Sequence, residues 1–219
     1  MRCRALLFDL DGVLVDSRAC DERVWRSWAA QRGVDAEAMI RAGQGRRASE
    51  TLREVAPDLD VAAEAAVLDA MEELETSGLQ AAAGAASVLA QLAPDRWAIV
   101  TSASWRVASV RLVTARLPIP AVFITGDQVQ RGKPDPQGYL WAAASLRVEP
   151  ADAVVLEDAP AGIAAARAGG MRVVGIATTH APAAIAAADL IVPDLRALRV
   201  AAATDGWIEI GLALPGERP

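Results

Sequence analysis

The chain has 219 residues, 53% of them hydrophobic, so it can bury a large core in one domain or in a domain with a modest insertion. Its net charge of −6 argues against nucleic acid as a partner, because a phosphate backbone requires a basic surface. Arg or Asp interrupts each apolar run before it reaches about 18 residues, so no membrane span is predicted. Cys3 and Cys20 lack a disulfide-framework spacing, so we expect free thiols in a reducing cytoplasm. Met1–Arg4 leads directly into a strand, so we expect no signal peptide. The acidic, mixed surface is compatible with a monomer.

The first notable segment is a short apolar run, Ala5–Phe8, which predicts a buried strand. Asp9 and Asp11 follow it, and Gly12 favours a bend there, which leaves the relation of the two carboxylates open. Two acidic groups at the end of a strand can hold a divalent cation, or can divide nucleophilic and proton-transfer roles between them.

The next segment, residues 18–83, has helical patterns and no convincing strand. Apolar residues recur at helical spacing near its start, and Gly33 fits the end of that first helix. An acidic run, Glu72–Glu75, is expected to face solvent. An all-helical block between strand-bearing regions predicts a separate cap domain. The pattern predicts three further helices: Ala36–Ile40, Ala48–Val55 and Val61–Thr76.

From Gly84 onward, runs of strand length alternate with helical patterns. This alternation predicts an α/β core, residues 1–17 and 84–219, in which a doubly wound, Rossmann-like parallel sheet carries helices on both faces. A hairpin, Arg199–Leu212, around Thr204-Asp205-Gly206, is expected to extend an edge. The predicted strands are Trp97–Val100, Ala121–Ile124, Ala153–Leu156, Arg172–Ile176 and Leu190–Val192. The predicted helices are Ala85–Leu92, Trp105–Leu117, Gln137–Leu146, Pro160–Arg167 and one between residues 176 and 190.

Polar residues follow three of the predicted strands. The carboxyl ends of parallel strands meet at one edge of such a sheet, where ligands bind, so we expect these side chains to converge. Lys133 is also notable, because it is the only lysine among 22 basic residues, and a site that needs a compact ammonium would explain it. The three polar pairs are Asp9 with Asp11, Thr101 with Ser102, and Glu157 with Asp158.

Four motifs carry a resemblance to a known family. The sequence DLDGVLVDS, which begins at Asp9, resembles the first signature of the haloacid dehalogenase-like (HAD) phosphatases. Thr101/Ser102 match the second motif, Lys133 in RGKPDP the third, and VVLEDAPAG the fourth, in the family's order. The helical block lies where this family inserts a helical cap. The stretches WAIVTSAS, RGKPDP and EDAPAGIAAA are most similar to sugar- and polyol-phosphate phosphatases.

The resemblance implies a Mg²⁺-dependent phosphatase that acts on a small phosphorylated sugar or polyol. It implies that Asp9 is the nucleophile, which forms an aspartyl-phosphate, and that Lys133 neutralises charge on the phosphoryl group. Asp11 would protonate the leaving oxygen and later deprotonate water. Mg²⁺ would be held by Asp9, by the carbonyl of Asp11 and by Asp158, with Glu157 either a further ligand or a supporting residue.

The same resemblance assigns substrate contacts. Either Thr101 or Ser102 supplies a hydroxyl to the phosphate, because the strand end can be aligned in two ways, and adjacent amides such as that of Ala103 assist. Arg46 is a candidate to meet the sugar from the cap. The sequence does not identify the sugar or polyol, because cap loops select it and short helices carry no readable code.

Two other functions remain alternatives. A sugar-phosphate mutase resembling β-phosphoglucomutase would carry a histidine shortly after the first motif, where this chain has Asp21. That difference disfavours a mutase without excluding it. A non-catalytic sugar-phosphate-binding protein would be expected to lack the nucleophile, a metal carboxylate or the lysine, and all of these are present.

Overall fold

The computed structural model describes residues 1–203 and 205–213, so Thr204 of the predicted hairpin turn lies outside the described residues. The strands are β1 (Arg2–Cys3), β2 (Ala5–Phe8), β3 (Val15–Asp16), β4 (Gln80–Ala81), β5 (Trp97–Val100), β6 (Phe123–Ile124), β7 (Ala153–Glu157), β8 (Arg172–Ile176), β9 (Leu190–Val192), β10 (Leu198–Ala202) and β11 (Ile208–Leu212). The α-helices are α1 (Arg18–Arg32), α2 (Ala36–Gly43), α3 (Ala48–Val55), α4 (Val61–Leu74), α5 (Ala85–Ala90), α6 (Trp105–Thr114), α7 (Gln137–Ser145) and α8 (Pro160–Ala168).

The central sheet is parallel, and its strands follow the order β6-β5-β2-β7-β8-β9. The chain builds outward from β2 to β5 and β6, and then returns to build β7, β8 and β9 on the other side. The direction of winding therefore reverses beside β2, where doubly wound sheets bind their ligands. The predicted α/β doubly wound fold is confirmed.

Strand β2 is buried along its whole length, which explains its continuous apolar sequence. Leu6 and Phe8 point into the layer formed with α5 and α6, whereas Leu7 points into the layer formed with α7 and α8. Phe8 meets Trp97 of β5 edge to face, with ring centroids 6.2 Å apart. This alternation places helices on both faces of the sheet and fixes the direction in which β2 ends.

Helices α1 to α4, residues 18–74, which we call the helical segment, pack around an apolar cluster of their own that includes Trp28, Leu52 and Leu68. Asp60 caps α4 by accepting hydrogen bonds from the amides of Ala62 and Ala63. Gly33 ends α1 with φ +66°, as the sequence predicted. The proposed boundaries of a cap domain at residues 18 and 83 stay predictions.

Two predictions about minor strands were wrong. The hairpin β10–β11 is present, but β11 pairs with β1, so the three strands form a separate sheet and do not extend the central one. Gln80–Ala81, in the region predicted to lack strands, pairs with Val15–Asp16. The two-residue strands β3 and β4 show no periodicity in the sequence, and each is defined by its pairing with the other.

The prediction of a helix between β8 and β9 was also wrong. Hydrogen bonds there join residues three apart, such as the amide of Ile185 to the carbonyl of Pro182, and residues 177–189 form turns. At the end of this segment, the amide of Asp189 donates to the carbonyl of Val173 in β8. Within residues 1–203 and 205–213, no helix is both long and apolar enough to cross a membrane.

Candidate active site

The carboxyl ends of three neighbouring strands bring the predicted polar residues to one edge of the sheet. Asp9 follows β2, Thr101 follows β5, and Glu157 ends β7. β2 lies between the other two strands, so residues separated by more than 140 positions in the sequence become neighbours. The predicted convergence is present.

Lys133 lies at the centre of this group. Its ammonium donates to Asp9 Oδ1 at 2.7 Å and to Glu157 Oε1 at 2.5 Å, and all three side chains are buried. Burial alone would lower the pKa of Lys133, but the charges of Asp9 and Glu157 outweigh it and raise that pKa. The lysine is therefore a fixed positive charge in the interior.

Glu157 is fully hydrogen-bonded. Its Oε1 accepts from Lys133 and from the hydroxyl of Tyr139 at 2.9 Å, and its Oε2 accepts from the amides of Asp158 and Ala159. Gly162 makes room for the carboxylate, since a Cβ there would lie 1.6 Å from Oε1. These contacts hold Glu157 against Lys133 and leave neither of its oxygens without a partner.

Asp9, Glu157 and Asp158 form a buried carboxylate cluster, with one oxygen from each within 4.8 Å of the others. Burial raises the pKa of Asp9 to about 7, against the opposing charge of Lys133. Burial, together with the charges of Glu157 and Asp9, also raises the pKa of Asp158 well above its usual range. Three buried carboxylates facing one ammonium have an excess of negative charge, and carboxylate oxygens are the ligands that a hard divalent cation prefers. The donor set fits such an ion.

The two hydroxyls that were predicted to bind phosphate have different hydrogen-bond partners. Thr101 Oγ1 accepts from the amide of Ala103 at 3.1 Å, which leaves its own hydroxyl proton available. Ser102 Oγ instead donates to the carbonyl of Gly45 in the helical segment at 2.9 Å. Thr101 is buried beside Asp9 at the sheet edge, whereas the hydroxyl of Ser102 is used to join the two parts of the chain.

A cavity of about 920 Å³, its open mouth included, lies between the sheet edge and the helical segment. Asp9, Asp11, Thr101 and Asp158 line its floor, and residues of α1, α2 and α4 line its roof. Arg46 lines this cavity too, but its guanidinium pairs with Glu54 at 2.7 Å.

Sequence reasoning missed two buried residues. Tyr139 donates to Glu157, and Arg111 of α6 lies against Asp11 and the helical segment with 4% of its surface exposed. Tyr139 is the only tyrosine in the chain, so the rarity that drew attention to Lys133 could also have drawn attention to Tyr139. Arg111 is one helical turn from Val107 and Ala108, on the buried face of α6. The prediction that Glu72 faces solvent was wrong, since Glu72 pairs with Arg111.

Comparison with known proteins identifies the family. A family model described as haloacid dehalogenase-like hydrolase matches residues 3–170. The chain belongs to the haloacid dehalogenase-like hydrolases. This hydrolase is 39% identical over 215 residues to hexitol phosphatase A of Escherichia coli (strain K12), across 96% of this chain and 100% of that protein.

Two further proteins are similar to this chain. The hydrolase is 34% identical to 2-deoxyglucose-6-phosphate phosphatase 1 of Saccharomyces cerevisiae (strain ATCC 204508 / S288c), across 95% of both chains. A hydrolase of Pseudomonas syringae matches its structure with a TM-score of 0.78 and 25% identity, across 87% of this chain and 94% of that one. The resemblance inferred from the four motifs is confirmed.

Proposed function

We propose that this hydrolase is a Mg²⁺-dependent phosphatase of a small sugar or polyol phosphate, acting through an aspartyl-phosphate. The observation that carries the proposal is the buried Asp9 carboxylate, bound to Lys133 and adjacent to Asp158 at the floor of the cavity. A phosphate ester repels an anionic nucleophile, so positive charge must be fixed beside the attacking oxygen.

Asp9 is the nucleophile in this proposal. Lys133 holds its Oδ1, which leaves Oδ2 to attack phosphorus as the bond to the sugar oxygen breaks. The same ammonium offsets the charge on the transferring group. Thr101 supplies the phosphate-binding hydroxyl, because the hydroxyl of Ser102 is engaged with Gly45, and the amide of Ala103 lies beside it.

Asp11 is assigned both proton transfers. Its side chain is 25% exposed and lines the cavity, so it can reach a bound leaving group. It gives a proton to the departing sugar oxygen, then takes one from the water that attacks the aspartyl-phosphate, which restores the Asp9 carboxylate. General acid–base assistance of this kind contributes about 10²–10⁴-fold to rate.

Asp9, Asp158 and the main-chain carbonyl of Asp11 would hold Mg²⁺. When bound, the ion would offset the negative charge of the phosphoryl group beside the carboxylates. We assign Glu157 to holding Lys133 in place, because both of its oxygens already accept hydrogen bonds.

The names of the relatives support the substrate class, since they are called hexitol phosphatase and 2-deoxyglucose-6-phosphate phosphatase. Arg46 stays a candidate substrate contact from the cavity wall. The mutase alternative is disfavoured because Asp21, at the position of the mutase histidine, pairs with Arg111 at 2.5 Å. A cytoplasmic location and a monomeric state remain predictions of the sequence.

The test is phosphate release from hexose, hexitol, glycerol and nucleotide monophosphates, with Mg²⁺ and with a chelator. We expect Mg²⁺-dependent turnover of sugar or polyol phosphates, and acid quenching during turnover should trap a phosphorylated chain. Asp9→Asn should reduce turnover to background and abolish the trapped phosphate while the fold is retained by circular dichroism.

Three results would contradict the proposal. Retained turnover in Asp9→Asn would exclude the nucleophile. Isomerisation of a sugar phosphate in the presence of a bisphosphate, without phosphate release, would establish the mutase. Tight binding of a sugar phosphate without any turnover would establish the non-catalytic binding protein.

A further inference from the structure

Arg111 links the proposed general acid to the helical segment. It lies on the buried face of α6, and its Nη1 is 2.6 Å from Asp11 Oδ1. Its Nη2 lies 2.5 Å from Asp21 Oδ1 of α1 and 3.2 Å from Glu72 Oε2 of α4. One guanidinium therefore contacts three carboxylates from three parts of the chain.

The two carboxylates of the helical segment are themselves fixed. Ser17 Oγ donates to Asp21 Oδ2 at 3.0 Å, and the indole of Trp25 donates to Glu72 Oε1 at 2.8 Å. Their side chains are 15% and 11% exposed. Since ion pairs are strong when water is excluded, α1 and α4 hold Arg111 in a defined position.

The Asp11 carboxylate is held on one side only. Its Oδ1 lies against Nη1 of Arg111, which approaches from the side of α6. Among residues 1–203 and 205–213, no hydrogen bond is made to Asp11 Oδ2. The carboxyl group is thus oriented through Oδ1 while Oδ2 stays free for a proton.

We propose that Arg111 is a positioning residue, which orients the Asp11 carboxyl group for proton transfer to the leaving oxygen and ties that orientation to helices α1 and α4. The inference rests on the proposed function. As the bond from Asp9 to phosphorus forms, Oδ2–H of Asp11 gives its proton to the sugar oxygen, whose bond to phosphorus breaks. Arg111 contributes no proton and touches no reacting atom.

The role requires an arginine. A guanidinium presents five donors in a rigid plane, so it can contact Asp11, Asp21 and Glu72 together, whereas an ammonium is a point charge on a flexible stem. The arrangement also makes proton transfer depend on the position of the helical segment, because a displacement of α1 or α4 would move Arg111 and therefore Asp11.

The experiment compares two substrates that differ in their need for the acid. A sugar or polyol alkoxide must be protonated as it leaves, whereas p-nitrophenolate is stable without a proton. In Arg111→Met, we expect kcat/KM for the sugar or polyol phosphate to fall about a hundredfold, the lower end of the range for general acid catalysis. We expect kcat/KM for p-nitrophenyl phosphate to change little, and Arg111→Lys to recover part of the loss.

Arg106→Met is the matched control. Arg106 lies on the same helix and also pairs with the helical segment, through Glu73, but it is largely exposed and does not contact Asp11. Both substrates should be hydrolysed normally by this variant. Asp21→Asn is a milder second variant in case Arg111→Met does not fold, because it keeps Arg111 while weakening its attachment to α1. In this variant too, kcat/KM for the sugar or polyol phosphate should fall relative to kcat/KM for p-nitrophenyl phosphate.

The two proposals fail differently. If kcat/KM falls equally for both substrates in Arg111→Met, Arg111 has a structural role and the inference is overturned. The same result in Asp21→Asn decides the question if Arg111→Met does not fold. The proposed function would survive, since the wild-type chain would still turn over sugar phosphates and Asp9→Asn would not. A wild-type chain that hydrolyses neither substrate would remove both proposals.

Discussion

The ammonium of Lys133 occupies a space bounded by Asp9, Glu157 and the ring of Tyr139, whose centroid is 5.3 Å from Nζ. A guanidinium is wider and planar, and it would displace at least one of these groups. The remaining basic residues of the chain are arginines, so the exception at position 133 reflects the shape of this site.

We therefore expect Lys133→Arg to lower kcat/KM about a hundredfold or more, the loss typical when one charge-stabilising donor is misplaced. Lys133→Met should lower the free energy of unfolding by about 3–5 kcal/mol without metal, because it leaves two buried carboxylates without their cation. Steady-state kinetics and urea unfolding measure the two effects. Arg131→Lys, an exposed basic residue nearby that pairs with Asp135, is the control and should change neither. Normal activity in Lys133→Arg would contradict this account.

At the scale of single residues, the sequence pointed to several of the side chains that meet at the edge of the sheet. The rarity of lysine singled out Lys133, and the motif order assigned Asp9, Asp11 and Asp158. The role of Glu157 stayed open because a carboxylate can bind a metal or an ammonium, and its hydrogen bonds to Tyr139 and Lys133 are visible only in the structure. Arg111 was missed because its partners lie in other parts of the chain, and no local pattern reports them.

Among the elements, the loop after β2 depends on a glycine for two reasons. Gly12 has φ +78°, a conformation that costs other residues free energy. A Cβ at this position would also lie 2.0 Å from Asp158 Oδ2 and 2.6 Å from Thr179 Oγ1. The loop thus brings its backbone against a carboxylate of the cluster.

Gly12→Ala tests the close approach, and Gly170→Ala is its control. Gly170 has φ +77° with nothing within 4 Å of the added Cβ, so both variants carry the same backbone cost, about 1–2 kcal/mol, and only the first displaces Asp158. We expect both to lower the melting temperature and only Gly12→Ala to weaken Mg²⁺ binding, measured by calorimetry, and turnover. Equal Mg²⁺ affinity in the two variants would contradict the assignment of Asp158 to the ion.

The predictability of an element depended on its length and burial. The strands β2, β5 and β7 are buried throughout, and β8 is buried after Arg172, so each appears in the sequence as an apolar run. Strands β1, β3 and β4 have two residues each and exist because a partner lies beside them. The segment 177–189 has an alanine-rich helical composition, but it forms turns and ends in a hydrogen bond from Asp189 to β8.

In the whole molecule, the helical segment is joined to the rest of the chain at several points around the cavity. Arg47 donates to the carbonyl of Val129 at 2.9 Å, and Glu50 accepts from the amide of Gly132, next to Lys133. On another side of the cavity, the hydroxyl of Ser102 donates to the carbonyl of Gly45. Together with Arg111, these contacts hold the roof of the cavity over its floor.

Both cysteines are free and buried within this packing. Burial raises the pKa of Cys3 to about 12, and burial also raises that of Cys20. Since only the thiolate reacts and a raised pKa keeps the thiol protonated at pH 8, we expect no rapid labelling of the native protein by Ellman's reagent at that pH. Both thiols should react after unfolding in guanidinium chloride. Rapid reaction of either cysteine in the folded protein would contradict the described packing.

The sequence by itself determined the fold class, the positions of the main strands along the chain and the residues of the four motifs, because buried runs and motif spacings are visible in short stretches of chain. The tertiary structure decided the contacts between distant parts: Glu157 against Lys133, Ser102 against Gly45, and Arg111 among Asp11, Asp21 and Glu72. A charged side chain has the same local signature on a solvated surface and in a buried ion pair. Its partner is fixed only when the sheet and the helical segment come together.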